Sequence, residues 1–165
     1  MPNKAKIILL TTSLLVVSLG LTACGQQTKA SPAGSQAKLP TRVITFMNAD
    51  NDNITLTAEL ASTATQRQIG LMGRTSLGAD EGMLFVLPTP MVTTFWMKNT
   101  LIPLDMIWVD ENGKIIDIQQ AEPCLTATCP SYTPPGPVKF VLETNQGWAQ
   151  SHSIDSSATI YWPSV

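Results

Sequence analysis

Ile54-Thr55-Leu56-Thr57-Ala58-Glu59-Leu60 places an apolar residue at every second position and a polar one between. Successive side chains of a strand point to opposite faces. A period of two therefore predicts a strand with one face on a core and one in water. The reading extends outward in both directions. Arg42 to Met47 is β-branched and aromatic, and the Asn/Asp-rich turn Asn48 to Asn53 joins it to the alternating run. Beyond it, Thr63 with Gln66 forms a capping box ahead of helix formers from Gln66 to Met72, and Gly73 is placed to end that helix. Met83 to Leu87 is wholly apolar, as a strand buried on both faces would be, and Pro88 and Pro90 are expected to stop it.

The second half repeats this grammar. Thr93 to Lys98 predicts a strand with Phe95 and Met97 on one face and Trp96 and Lys98 on the other. Asp105 to Val109 and Lys114 to Gln119 form a hairpin around Asn112-Gly113, a pair suited to a type I′ turn. Cys124 to Pro137 is a Pro-rich loop, Val138 to Glu143 a strand, Asn145 to His152 a short helix capped by Asn145, and Ala158 to Trp162 a last strand. About eight short strands with two short helices predict a mostly β (α+β) domain, a compact antiparallel β-barrel or sandwich. Long crossover helices of a βαβ fold are missing.

At 165 residues the chain suits one ordinary domain, and 44% hydrophobic against 13% charged residues excludes wholesale disorder. The expected organisation is a signal peptide over 1–23, a lipidated Cys and tether over 24–40, and a single domain over 41–165. Lys4 and Lys6 precede a nearly unbroken apolar stretch of fifteen residues, Ile7 to Leu21. A membrane span needs about 20, whereas a signal-peptide core is shorter. Leu21-Thr22-Ala23-Cys24 resembles a lipobox, in which Cys24 accepts lipid and becomes the first residue. Gln26 to Pro40 is too polar to build a core and reads as a tether. This places the domain at the cell envelope, on the periplasmic face of a Gram-negative outer membrane or otherwise at the cell surface, as a monomer. Loss of residues 1–23 removes two of ten basic side chains and leaves eight against twelve acidic ones, a net charge of −4. That balance argues against nucleic acid as a partner, since Lys and Arg on phosphate dominate such binding.

Ile69-Gly70-Leu71-Met72-Gly73-Arg74, Glu81-Gly82-Met83-Leu84-Phe85, Phe95-Trp96-Met97-Lys98-Asn99-Thr100 and Ile102-Pro103-Leu104-Asp105 form a recurring set of short motifs. Pro130-Ser131-Tyr132, Val141-Leu142-Glu143, Asn145 and Gly147-Trp148-Ala149 complete it. Together, from about Leu56 onward, these resemble the domain of unknown function 192 family. The resemblance implies a compact β-rich fold and no particular activity. The sequence departs from the family pattern at Ser153, where Gly is usual after the second helix, and at Ser156-Ser157, in place of a Gly-Asp turn.

In an oxidising compartment Cys124 and Cys129 are expected to form a structural disulfide; redox and metal roles suit their spacing and the single distant His152 less well. The methionines read as core filling, His152 as a surface or capping residue, and no metal or cofactor is called for. Arg67, Trp96, Lys98, Asn99, Asp105, Tyr132 and Glu143 are the candidate ligand-binding residues. Trp96 offers an aromatic platform, and strand ends carrying Lys98, Asn99 and Asp105 are expected to meet at one rim. A buried network is the competing reading, with Arg67 on Glu143 or Lys98 on Asp105. Three functions stay open. A non-enzymatic module binding a small molecule, peptide or glycan fragment is favoured. The others are an envelope-acting enzyme, with Asp105 or Glu143 as base and Lys98 as stabiliser, and a structural or protein-interaction lipoprotein.

Overall fold

The computed structural model describes residues 38–161. The signal segment and Cys24 lie outside them. Nine strands and two helices follow in the order β1 (Thr41–Met47), β2 (Asn53–Ala61), α1 (Ala64–Ile69), β3 (Glu81–Met91), β4 (Phe95–Trp96), β5 (Leu104–Val109), β6 (Ile115–Ala121), β7 (Ser131–Tyr132), β8 (Val138–Asn145), α2 (Trp148–Ser151) and β9 (Thr159–Tyr161). Seven of the strands form one sheet, ordered β6-β5-β8-β3-β2-β1-β9, and β4 pairs with β7 in a second. The large sheet curls into a half-barrel, and a bridge between Lys114 and Thr159 brings its two outer edges together at one point.

Two features depart from the expected pattern. All strand pairs are antiparallel except β2 and β3, which run parallel. Parallel neighbours need a crossover, and the segment carrying α1 supplies it without a long helix. β3 also continues past Pro88 and Pro90, through an irregular register against β8 between Val86 and Met91. Proline is tolerated where a strand bulges out of its ladder.

The sheet carries a core on each face. Phe46, Leu56, Leu84, Ile107 and Leu142 pack with Trp148 and Ala149 of α2 on one side. Met83, Phe85, Met106, Trp108 and Val141 pack on the other, beneath Leu71, Met97 and Phe95. Every residue of β5 is buried, as a strand sandwiched between two cores requires. Met83, Met97 and Met106 are fully buried gap-fillers.

Local chemistry moves two predicted caps and changes one predicted turn. The N-terminal capping box Thr63–Gln66 forms as read, but α1 ends at Gly70, whose N–H bonds the Gln66 carbonyl, and not at Gly73. In the β5–β6 hairpin Asp110 Oδ1 accepts from the N–H groups of Asn112 and Lys114, so only Gly113 takes a positive φ and no type I′ turn forms. At α2 the N-cap is Gly147 and not Asn145, which instead donates to the Gly78 carbonyl.

Ser153 lies at φ 55°, the left-handed region. A side chain there costs about 1–2 kcal/mol, which Gly avoids. Ser153→Gly is expected to raise stability by about 1 kcal/mol in urea denaturation. Cys124 and Cys129 are joined by a disulfide. Closing so short a loop limits the unfolded chain by about 2 kcal/mol, so reduction is expected to lower the unfolding free energy measured in urea by that amount without loss of the fold.

Candidate functional site

Glu143 sits near the end of β8, the third strand of the row, between β5 and β3. Its register partners are Met83 on β3 and Met106 on β5, both fully buried. Alternation puts it on the face of Val141, against the second core. Gly82 permits the tight approach of β3, since a Cβ there would lie 2.5 Å from the Glu143 carbonyl oxygen. The Glu143 side chain is 5% exposed and has no hydrogen bond or ion pair with any described residue. Burial pushes its pKa from 4.5 up to about 8, because an ionised carboxylate finds nothing there to replace water. The acid is therefore mostly protonated at neutral pH.

Glu143 lines an open cleft of about 260 Å³. One wall is the end of α1 with the turn that follows it, Arg67 to Met72; the other is Thr93 to Trp96; Phe85 and Leu87 of β3 also line it. Gly70 keeps the first wall close, as its Cβ would lie 3.1 Å from the Phe85 ring. Arg67 is anchored through Nη1, which donates to the carbonyls of Ser62 and Val86, the latter at 3.0 Å. Phe95 is held edge-on between Phe85 at 5.0 Å and Trp108 at 5.3 Å. Trp96, 53% exposed, stands at the mouth. Thr100 is 5% exposed, lines the same cleft, and its hydroxyl makes no hydrogen bond to a described residue. Two buried polar side chains thus open onto the cleft with unused hydrogen-bonding capacity.

The structure brings together three of the seven residues singled out from sequence: Arg67, Trp96 and Glu143. Lys98 reaches the cleft only indirectly, with Nζ 5.4 Å from the centre of the Trp96 ring. Neither proposed ion pair forms, Arg67 with Glu143 or Lys98 with Asp105. The rim uniting Lys98, Asn99 and Asp105 does not exist. Asp105 is 1% exposed and lies on the opposite face of the sheet, where its two oxygens accept from Gly147 N–H and Ala149 N–H at 3.0 Å each. It caps α2 from a neighbouring strand. Asn99, at φ 58°, is a turn residue whose backbone ties Gly73 to Cys124. Tyr132 lies across β4, its hydroxyl accepting from Glu122 N–H.

Sequence reading missed Thr100 and the threonines at 93 and 94 as lining residues. Thr100 closes the Phe95 to Thr100 motif, and a lone hydroxyl beside Ile102 and Leu104 in a core-bound segment was the available signal. His152 lies at the end of α2, with Nδ1 2.8 Å from the Trp148 carbonyl and its ring 4.6 Å from that of Trp148. Among the described residues no group of three or more His, Cys, Asp or Glu side chains is placed to hold a metal ion.

Comparison with other proteins gives a consistent picture. A family model, domain of unknown function 192, described as an uncharacterised ACR, matches residues 45–162. The match reaches into β1, upstream of the motifs read from sequence. No curated protein matches the chain. The solved structures it matches include a Sinorhizobium meliloti 1021 protein provisionally described as a transcription regulator, at 29% identity and a TM-score of 0.70, covering 78% of this chain and 98% of that one. They also include a Novosphingobium aromaticivorans protein of unknown function, at 34% identity and a TM-score of 0.70, covering 81% and 94%.

Proposed function

The chain belongs to the domain of unknown function 192 (DUF192) family, and from that footing we propose that it is a lipid-anchored envelope module that binds a small ligand in the cleft between α1 and β4. The observation carrying this reading is Glu143. A buried carboxyl without a partner costs the fold free energy, and here it faces an opening rather than sealed packing. Thr100, Phe95 and Trp96 line the same cleft and supply the mix of polar groups and aromatic walls usual in ligand pockets. The lipobox at Cys24 supports the anchoring half, and the acidic balance speaks against nucleic acid.

Thermal-shift titration of the full chain in detergent with envelope components tests the binding half. A binder is expected to raise Tm. Trp96→Ala is expected to weaken that binder about tenfold, the range of one aromatic contact, and to leave the fold intact because Trp96 is half exposed. No shift with any component would overturn the reading. Replacing Cys24 with Ser is expected to move the protein from the membrane to the soluble fraction; retention on the membrane would overturn the anchor.

One observation favours catalysis as a second reading. A carboxyl with a pKa of about 8 is a competent proton donor at neutral pH, and Arg67 lines the same cleft. In this reading Glu143 is a general acid and Arg67, not Lys98, stabilises charge. An activity whose pH profile breaks near 8, and loses that break in Glu143→Gln, would support it.

A further inference from the structure

We infer that the ligand is a small dipolar molecule, of amino-acid or dipeptide size, whose ammonium meets Glu143 and Thr100 and whose carboxylate meets Arg67. This rests on the cleft being a binding site. The cleft holds one acid and one base that do not pair with each other. Arg67 spends only Nη1 on the protein, on the Ser62 and Val86 carbonyls. The Nε and Nη2 edge has no partner among the described residues, and that edge is the one that clamps a carboxylate with two parallel hydrogen bonds. Glu143 has no cation partner among the described residues, and Phe85 and Phe95 line the same cleft with aromatic rings, which attract one. Phe85 and Leu87, also in that lining, suit a short apolar spacer.

Size and charge exclude the simpler ligands. About 260 Å³ lies below the range of about 300–1,000 Å³ for drug-sized ligands, so a long chain would have to lie outside. An anion would leave Glu143 unmatched, and a simple cation would leave Arg67 unmatched. The other charged groups on this side are already engaged. Glu59 holds Arg74 at 2.8 Å, Glu81 accepts from Gly78 N–H, Asp117 accepts from Ile118 N–H and Gln119, and Lys139 donates to the Pro88 carbonyl. Lys98 lies over Trp96, and Asp105 points to the opposite face. An incoming ammonium therefore has one acid to meet.

Because Glu143 holds a proton until about pH 8, capture of an ammonium expels that proton to solvent. Affinity is then expected to rise about tenfold per pH unit from 6 toward 8 and to fall again above it, where the ligand's own α-amino group, with an ordinary pKa of about 7.7–8.0, loses its proton. A neutral ligand hydrogen-bonded to the protonated acid would show no rise between 6 and 8.

Isothermal titration of the full chain with alanyl-alanine, its N-acetyl form, its C-amide and N-acetylglucosamine separates the cases. The free dipeptide is expected to bind with release of one proton, and blocking either end is expected to weaken binding at least about tenfold. Glu143→Gln is expected to remove the rise between pH 6 and 8 and bring the free and N-acetyl forms to similar affinity. Equal binding of the N-acetyl form, or affinity that does not rise between pH 6 and 8, would overturn the dipolar ligand and leave the cleft as a binding site. Binding of N-acetylglucosamine alone would do the same. No binding by any of the four would overturn this inference, and the wider envelope titration would then decide the binding reading separately.

Discussion

Glu143→Gln is expected to stabilise the protein by about 3–5 kcal/mol at pH 9 and to leave it nearly unchanged at pH 4. The wild-type side chain ionises at 4.5 when unfolded and at about 8 when folded. Between those values the folded chain keeps a proton that the unfolded chain has released. Wild-type stability is therefore complete below about pH 4.5, falls as pH rises through 8, and levels off above it. Each pH unit of that interval is worth 1.36 kcal/mol, so the full difference is about 5 kcal/mol. Water entering the cleft trims it toward 3, because a partly hydrated carboxylate suffers less from burial. Glutamine has the same shape and no charge to bury, so its curve should be flat across the range. Urea denaturation of both proteins at pH 4, 7 and 9 measures this. Parallel curves would mean that Glu143 is already paired or hydrated in the folded state, and the cleft would lose its principal feature.

How far the sequence reveals this site depends on what side-chain periodicity can encode. The alternation from Ile54 to Leu60 and the apolar run from Met83 to Leu87 report burial directly, so the strands and the β-rich class were legible. The parallel pairing of β2 with β3 was not, because the crossover works with a helix of only six residues, Ala64 to Ile69. Caps were half legible. Thr63 and Gln66 cap within three residues of each other, a box that is legible locally. Asp105 caps α2 across a sequence gap of 42 residues, and no local pattern announces such a contact. Arg67, Trp96 and Glu143 are legible as candidates, but the rim expected of Trp96, Lys98, Asn99 and Asp105 does not form. The error lay in treating strand ends as one place. β5 and β8 pair so that Met106 faces Glu143 and Asp105 faces Thr144. A one-residue difference in register parity sends the two acids to opposite faces of the sheet.

That separation gives the two acids opposite consequences when neutralised. Asp105→Ala is expected to destabilise the protein by about 4 kcal/mol at pH 7. Its carboxylate is as buried as that of Glu143, but both oxygens are matched, to Gly147 N–H and Ala149 N–H at 3.0 Å. Hydrogen bonds to a charged group contribute about 1.5–3 kcal/mol each. Alanine leaves two backbone donors unmet at the start of a four-residue helix that has no side-chain cap of its own. The loss reaches further than the cap. Trp148, the first residue of α2, packs its ring 5.3 Å from that of Phe46 and donates to Asp80, so release of the helix end loosens the first core. Asp105→Asn keeps one acceptor but turns an NH₂ toward the other donor, and is expected to cost about half as much. Urea denaturation gives the size of both effects, and hydrogen exchange at the Ala149 amide gives their location. Protection of that amide should fall with the first substitution more than with the second. The same chemical change, carboxylate to carboxamide, thus stabilises at Glu143 in alkali and destabilises at Asp105. If Asp105→Asn were neutral, the cap would contribute little, and Asp105 would have to be reconsidered as a group kept for something other than the fold.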